Sequence, residues 1–345
     1  MTRYLLRRFL QAVPTFLGIT MITFVIIKLA PGDPVMQMTF DPKIKAETRA
    51  KMRHQLGLDR PIPIQYIIWL TGNDWLRWFG QEVDDNALTR GVLRLDFGKS
   101  YQEKRPATEM ILERAPATIQ LNIAALIISY LVGLPVGIYS AVRQNSTFDN
   151  SSRVMAVVFS AIPGFWLSLM LILIFAVKFK EWGLPHIAMG GMRTITAAGG
   201  NRFDLLDRLK YLLPPAFVLA TGGIAGISRY MRTEVLEVIH QDYVRTARAK
   251  GLKEWAVTFV HAGRNALIPI ATMLGPEITG LLNGAVIVET IWSWPGLGRM
   301  FVGANFQRDY PVVLAGFVIG AIAVIVGNML SDVLYAVFDP RIRLQ

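Results

Sequence analysis

Apolar residues in this chain gather into six long stretches, at roughly 9–29, 117–142, 154–177, 211–230, 266–290 and 312–337, and most charged residues fall between them. A helix needs about 20 apolar residues to cross roughly 30 Å of hydrocarbon. The pattern therefore predicts six membrane-spanning helices. The first stretch follows Arg3, Arg7 and Arg8, as the apolar part of a signal peptide would. It is long for that role, no small-residue cleavage site follows it, and Ala30-Pro31-Gly32-Asp33-Pro34 comes next as a helix stop. It reads as a retained first span.

Inside the stretches, glycines recur at four-residue spacing: Gly133 and Gly137, Gly222 and Gly226, Gly280 and Gly284, Gly316 and Gly320. On a helix such pairs leave a flat groove that admits a neighbouring backbone. They serve ordinary packing, or helices that must rock against one another. Pro135, Pro163, Pro269 and Pro276 mark places where spans could kink.

Composition agrees with a membrane location. Of 345 residues 52% are hydrophobic and 18% charged, with a mean hydropathy of +0.38, against about a quarter charged in soluble domains. The net charge of +11 sits at the ends of apolar stretches rather than in a basic stripe with interleaved aromatics, which argues against nucleic acid. The N-terminus, the connection at Arg143 and Arg153, the connection from Arg229 to Arg264 and the tail with Arg341 and Arg343 are denser in Lys and Arg than the alternate segments. By the positive-inside rule both termini are expected in the cytoplasm. Segment 30–116 then lies outside it, with 13 Lys/Arg and 12 Asp/Glu. It holds a helix-like stretch near Lys43 to Leu56 and a patch with Trp69, Trp75 and Trp78. That patch suits an interfacial belt, or a lid over a pathway. The expected organisation is a first helix at 1–29, an extracytoplasmic segment at 30–116, and a core at 117–345 with a cytoplasmic loop at 229–265.

Several chemistries find no support. The absence of cysteine excludes disulfides, thiolate metal sites and cysteine nucleophiles. His54, His186, His240 and His261 have no metal-ligand spacing, and His240 and His261 fall in a charged connection rather than in an apolar span. Gly98-Lys99-Ser100 ends like a phosphate loop, yet Leu93 stands where its first glycine belongs; Gly296-Leu297-Gly298 starts a dinucleotide fingerprint that fails at Phe301. Any use of ATP falls to a partner. Ionisable groups within spans are costly and flag function by default. Glu277 is the deepest, and with Asn122 and Asn283 it is the candidate lining of a pathway. Asp332 is expected to pair with a tail arginine such as Arg341, and Glu289 and Lys28 to snorkel from the outer ends. No chain of carboxylates suggests a proton relay.

The connection from 229 to 264 carries seven Lys/Arg and four Asp/Glu, with apolar residues at helical spacing and Gly251 as a stop. Such a helix could lie on anionic lipid, or be gripped by a soluble protein.

The run from Tyr243 to Leu252, followed by Arg264-Asn-Ala-Leu-Ile-Pro269, resembles the EAA loop of ABC importer permeases. The version is that of the B-type subunit of the dipeptide/oligopeptide/nickel family. Ala30-Pro-Gly-Asp-Pro34, Gly57-Leu-Asp-Arg-Pro61, Leu95-Asp-Phe-Gly-Lys-Ser100, Arg114-Ala-Pro-Ala-Thr118, Glu289 to Arg299 and Asp339-Pro-Arg-Ile-Arg343 extend the resemblance over nearly the whole chain. Arg245-Thr246-Ala247 replaces the name-giving Glu-Ala-Ala, Gly263 stands where relatives generally carry leucine, and the stretch from Trp75 to Arg94 is longer than in many. The resemblance implies an all-α, six-helix type I permease of a bacterial or archaeal cytoplasmic (inner) membrane. It also implies a second, non-identical permease, two cytoplasmic ATPases that bind ATP and magnesium, and an extracytoplasmic solute-binding protein. Arg245, Thr246, Ala247, Arg248, Lys250, Gly251 and Leu252 would form a coupling helix seated in an ATPase groove, with Ala247 keeping the seated face slim. Cargo would be a di- or oligopeptide, with nickel chelates, glutathione-like molecules and sugar oligomers as alternatives. An ion-coupled transporter centred on Glu277 is the remote one.

Overall fold

The computed structural model of the chain describes residues 2–29, 35, 46–55, 57–79, 89–194, 205–281 and 285–338. Regular structure among them is helical; the one strand-like feature is an isolated bridge between Lys99 and Pro106. The helices are α1 (Thr2–Leu29), α2 (Ala46–Gln55), α3 (Ile62–Thr71), α4 (Ala107–Val142), α5 (Thr147–Ala161), α6 (Gly164–Glu181), α7 (Leu205–Val238), α8 (Asp242–Ala249), α9 (Gly263–Gly280), α10 (Val286–Ile291), α11 (Leu297–Phe306) and α12 (Tyr310–Phe338). The described residues of Met1–Pro116 and Met300–Ile325 form one compact unit, and those of Ala117–Arg299 and Val326–Gln345 a second.

Among the described residues four helices are long and apolar enough to cross a membrane: Leu10–Leu29, Ala107–Val142, Leu205–Val238 and Tyr310–Ser331. They fall on the first, second, fourth and sixth apolar stretches. The third stretch is α5 and α6 joined at a 99° bend. Its cause is local. Ile162 is extended at ψ 122° ahead of Pro163, because a proline pushes the preceding residue out of the helical region. The fifth stretch divides between α9 and α10, with residues 282–284 outside the description. The helix of the second apolar stretch, α4, begins at Ala107 rather than near 117.

In the second unit α4 packs on α7 through small residues. A side chain on Gly133 would press Ile227, one on Gly137 the Ser228 carbonyl at 2.6 Å, and one on Gly223 the Ser129 hydroxyl. Gly222, Gly226, Gly280 and Gly320 have open space beside them, Gly316 abuts the Phe301 ring, and Gly284 lies outside the described residues, so 133/137 is the expected pair with both members in close contact. Around this contact lie Ala117, Leu121, Ala125, Leu212, Ala216 and Ala220, and farther along Ile138, Ala141, Met231, Val235, Ala266 and Ile270. Small residues at helix contacts permit the close approach that drives packing in lipid.

In the first unit Trp69 lies against Phe24 (ring centroids 5.3 Å) and Tyr66 (6.0 Å), and Lys28 sits over the Phe24 ring at 5.4 Å. Trp69 thus docks α3 on α1. The Arg94 guanidinium, 2.6 Å from Asp74, holds that carboxyl below the usual carboxylate range. Ser100 donates to the buried Asp309 carboxylate, which also accepts the Tyr101 N–H at 2.9 Å. The serine of the failed phosphate-loop motif therefore has a structural partner.

Candidate functional site

Helix α8 stands on a small cluster of its own. Val244 and Ala247 are buried against Val257 and Ala262, with Val238 alongside. The chain leaves α8 through a Schellman motif: Gly251 N–H bonds to Arg248 O at 2.9 Å and Leu252 N–H to Ala247 O at 3.4 Å, with Gly251 at φ +75°. This pairing satisfies two carbonyls at the helix end and requires a left-handed residue at the glycine position. A Cβ on Gly251 would meet nothing within 4 Å. The glycine is needed for its dihedral, not for space.

Beyond the turn the backbone widens into π-type hydrogen bonding over Ala256–Ala262 before α9 begins at Gly263. Gly263 N–H reaches the Thr258 carbonyl, and a side chain on Gly263 would crowd that oxygen at 3.2 Å. Single π turns inside α-helices are frequent at functional sites.

This geometry sorts the expected coupling residues. Arg245, Thr246, Arg248, Lys250, Gly251 and Leu252 are exposed, with Tyr243 beside them. Arg248 pairs with Glu254 at 2.9 Å, and Arg245 lies 3.8 Å from Asp242. Ala247 departs from expectation: at 6% exposure it faces the chain's own Val257 and Ala262. Its small size lets α8 sit on its own base.

A clamp holds the neighbouring connection. Arg232 on α7 grips Asp149 with two bonds, Nε to Oδ1 at 2.6 Å and a terminal nitrogen to Oδ2 at 2.7 Å. Asp149 is fully buried and also accepts the Asn145 N–H at 2.8 Å. Ser146 caps the start of α5 by accepting the Asp149 N–H at 3.3 Å. Neither clamp residue stood out in the sequence, because nothing in the spacing of 149 and 232 marks them as partners.

Glu289 does not snorkel. It is fully buried, accepting the Thr118 hydroxyl at 2.8 Å and the Arg299 N–H at 2.9 Å. Thr118 in turn accepts the Leu297 N–H at 2.7 Å, and the Trp294 indole donates to Ala117 O at 2.9 Å. Short α10 places the carboxyl beneath the turn at 293–296, where solvent is absent, so the side chain is held by donors instead of water. Gly296 and Gly298 abut its carboxyl group so closely that a Cβ on either would collide with it. The spacing of these glycines was the signal; it marks a close approach to Glu289.

Asn122 and Glu277 line one cavity of about 260 Å³, together with Ser129, Leu219 and Gly223. Asn122 donates to Leu281 O at 2.9 Å. Glu277 is exposed. Asn283, the third expected pathway residue, lies outside the described residues, as do the Asp332 side chain and the tail arginines. Among the described residues no cluster of His, Asp or Glu could hold a metal ion.

Residues 133–344 match the family described as the inner membrane component of binding-protein-dependent transport systems, and residues 1–122 match the N-terminal region of the same membrane component. The chain belongs to this permease family. The oligopeptide transport system permease protein AppB of Bacillus subtilis (strain 168) is 42% identical, over 99% of this chain and 100% of that protein. The dipeptide transport system permease protein DppB of Escherichia coli (strain K12) is 38% identical over 99% of each. The di/tripeptide transport system permease protein DppB of Pseudomonas aeruginosa (strain UCBPP-PA14) is 37% identical over the whole of both. Among solved structures, a chain of the MetNI methionine ABC transporter gives a TM-score of 0.44 at 15% identity, over 66% of this chain and 96% of that one. As a member of the permease family, the chain is a multi-pass inner-membrane subunit of an ABC importer. The family works with a binding protein and with an ATPase carried on a separate subunit.

Proposed function

We propose that this permease carries di- and oligopeptides inward and that α8 is its coupling helix. The observation that carries the coupling role is a short basic helix, raised on the Val244–Ala247–Val257–Ala262 cluster and ended by Gly251, with its charged face open to solvent. Seated in a groove of an ATPase, such a helix moves as a rigid piece, and its base passes the motion to α7 and α9 through the turn at 256–262. Arg245, Arg248 and Lys250 suit an acidic groove. ATP and magnesium belong to the two ATPases, and a second, homologous but non-identical permease completes the pathway. Both termini and α8 face the cytoplasm, in line with the distribution of Lys and Arg. Rocking of two permeases about a central path would then alternate access, with Asn122 and Glu277 on its wall. The peptide assignment rests on the relatives named above, all of them peptide permeases.

The test is uptake of a radiolabelled dipeptide by cells carrying the tagged chain, with ATPase activity measured on the complex it brings down. Uptake with co-eluting ATPase and second permease is the expected result. A chain that elutes alone from gentle nanodiscs, without ATPase activity, would overturn the importer assignment.

A further inference from the structure

Between α5 and α7 lies an open groove of about 680 Å³ that the coupling role does not use. Helix α5 lines it with Arg153, Val154, Val157 and Val158, and α7 with Arg229 and Arg232. Of the three guanidinium groups Arg232 is committed to Asp149. Arg229 spends its Nε on the Ala225 carbonyl at 3.1 Å, and among the described residues neither Arg229 nor Arg153 has an ion-pair partner. The three valines are 61%, 59% and 40% exposed. They occupy positions i, i+3 and i+4 of α5, so they form one continuous apolar strip that starts directly beside Arg153.

We propose that this groove is a binding site for an anionic phospholipid, its phosphate held by Arg153 and Arg229 and one acyl chain laid along the valine strip. The charge is complementary: three cations face the groove against one buried carboxylate that is already clamped. The apolar strip selects an amphiphile over a free anion. A soluble acidic protein would meet the arginines but leave the valines wet, whereas a bilayer lipid presents both chemistries at the spacing of head and chain. Basic pockets between membrane helices recognise anionic headgroups through the same combination. Bound there, a lipid would bridge α5 and α7 beside the Asp149–Arg232 clamp.

The test uses the tagged full chain with its co-purifying subunits, delipidated and titrated with dioleoyl phosphatidylglycerol or dioleoyl phosphatidylcholine, counting retained lipid by native mass spectrometry. Phosphatidylglycerol should be retained in preference. Arg153→Gln with Arg229→Gln should weaken that retention about thirtyfold, since each basic side chain near an anionic headgroup contributes roughly fivefold. Arg232 is left in place so that the clamp and the fold persist. Equal retention by the double variant would overturn the site. So would equal competition by inorganic phosphate or dihexanoyl phosphatidylglycerol, which would mean that the valines contribute nothing. A cross-link from Val157→Cys to the second permease would also overturn it, showing a protein on the strip. The readout needs neither peptide nor ATP, so it stands or falls separately from the transport assignment.

Discussion

Thr118 stands between Glu289 and Leu297, its hydroxyl donating to the Glu289 carboxyl at 2.8 Å while accepting the Leu297 N–H at 2.7 Å. One side chain on α4 thus satisfies both a buried carboxyl and the first turn of α11. Thr118→Val keeps the shape and removes the hydroxyl, leaving an acceptor and a donor buried without this partner. Each such group costs roughly 1–3 kcal/mol. The inactivation temperature of the purified complex should fall clearly for Thr118→Val and stay near the parent for Thr118→Ser. Equal loss in both would mean that the hydroxyl bonds are not what holds the joint.

Gly296 is the next element of that joint. Its Cα faces the Glu289 carboxyl so closely that Gly296→Ala must displace the carboxyl group or the Thr118 hydroxyl. Overpacking of this kind costs about 1–3 kcal/mol. Gly303→Ala, on α11 with nothing within 4 Å, serves as the control and should be neutral or slightly stabilising. Membrane yield and melting temperature of the two variants would separate close approach from a general requirement for glycine.

The clamp between Asp149 and Arg232 gives a sharper stability test. Removing one partner from a buried, doubly bonded pair costs about 3 kcal/mol or more, because the other is left without its counter-charge. Asp149→Ala or Arg232→Ala should therefore lower expression and melting temperature more than their combination relative to the sum of the singles. A double-mutant cycle on the solubilised complex reads this coupling directly.

Much of this fold was legible in the apolar pattern, and the misses have identifiable causes. Four of the six stretches became single long helices because length and hydropathy alone decide them. The third stretch bends at Pro163, a residue already marked as a possible kink; a hydropathy window averages over such a break. The position of Glu289 near the outer end of its stretch suggests snorkelling, whereas the Thr118 and Arg299 donors that retain it come from elements remote in sequence or across a turn. Ala247 was assigned to a docking face from the resemblance. The helical spacing of Val244 and Ala247 could have shown that both lie on the same inward side.

Glu277 separates two kinds of transport. An ion-coupled carrier would need its carboxyl to take and release a proton, whereas an ATP-driven permease needs only a polar wall. Glu277→Gln keeps the size and the hydrogen-bonding capacity of the side chain in a cavity shared with Asn122 and Ser129. Uptake should remain near the parent level in the variant and stay insensitive to a protonophore while ATP is held constant. Loss of uptake with intact ATPase co-elution would give this carboxylate a direct role.

The coupling role of α8 is tested by changing its outer face without touching its base. Ala247→Glu is a poor probe, since it forces a charge into the cluster with Val244, Val257 and Ala262 and damages the helix seat itself. Arg245→Glu and Lys250→Glu change exposed residues and should alter stability by no more than about 0.5 kcal/mol, as surface substitutions do. Their effect should appear as lost ATPase co-elution and lost uptake at unchanged membrane yield. Gly251→Ala addresses the base from the other end: a left-handed alanine costs about 1–2 kcal/mol, so the Schellman turn should fray while the outer charges remain. That variant is expected to keep partial ATPase binding but to uncouple hydrolysis from uptake, because the helix can still be gripped yet no longer moves with α9. Full uptake by the charge-reversal variants, with ATPase still bound, would show that the ATPase grips the permease elsewhere.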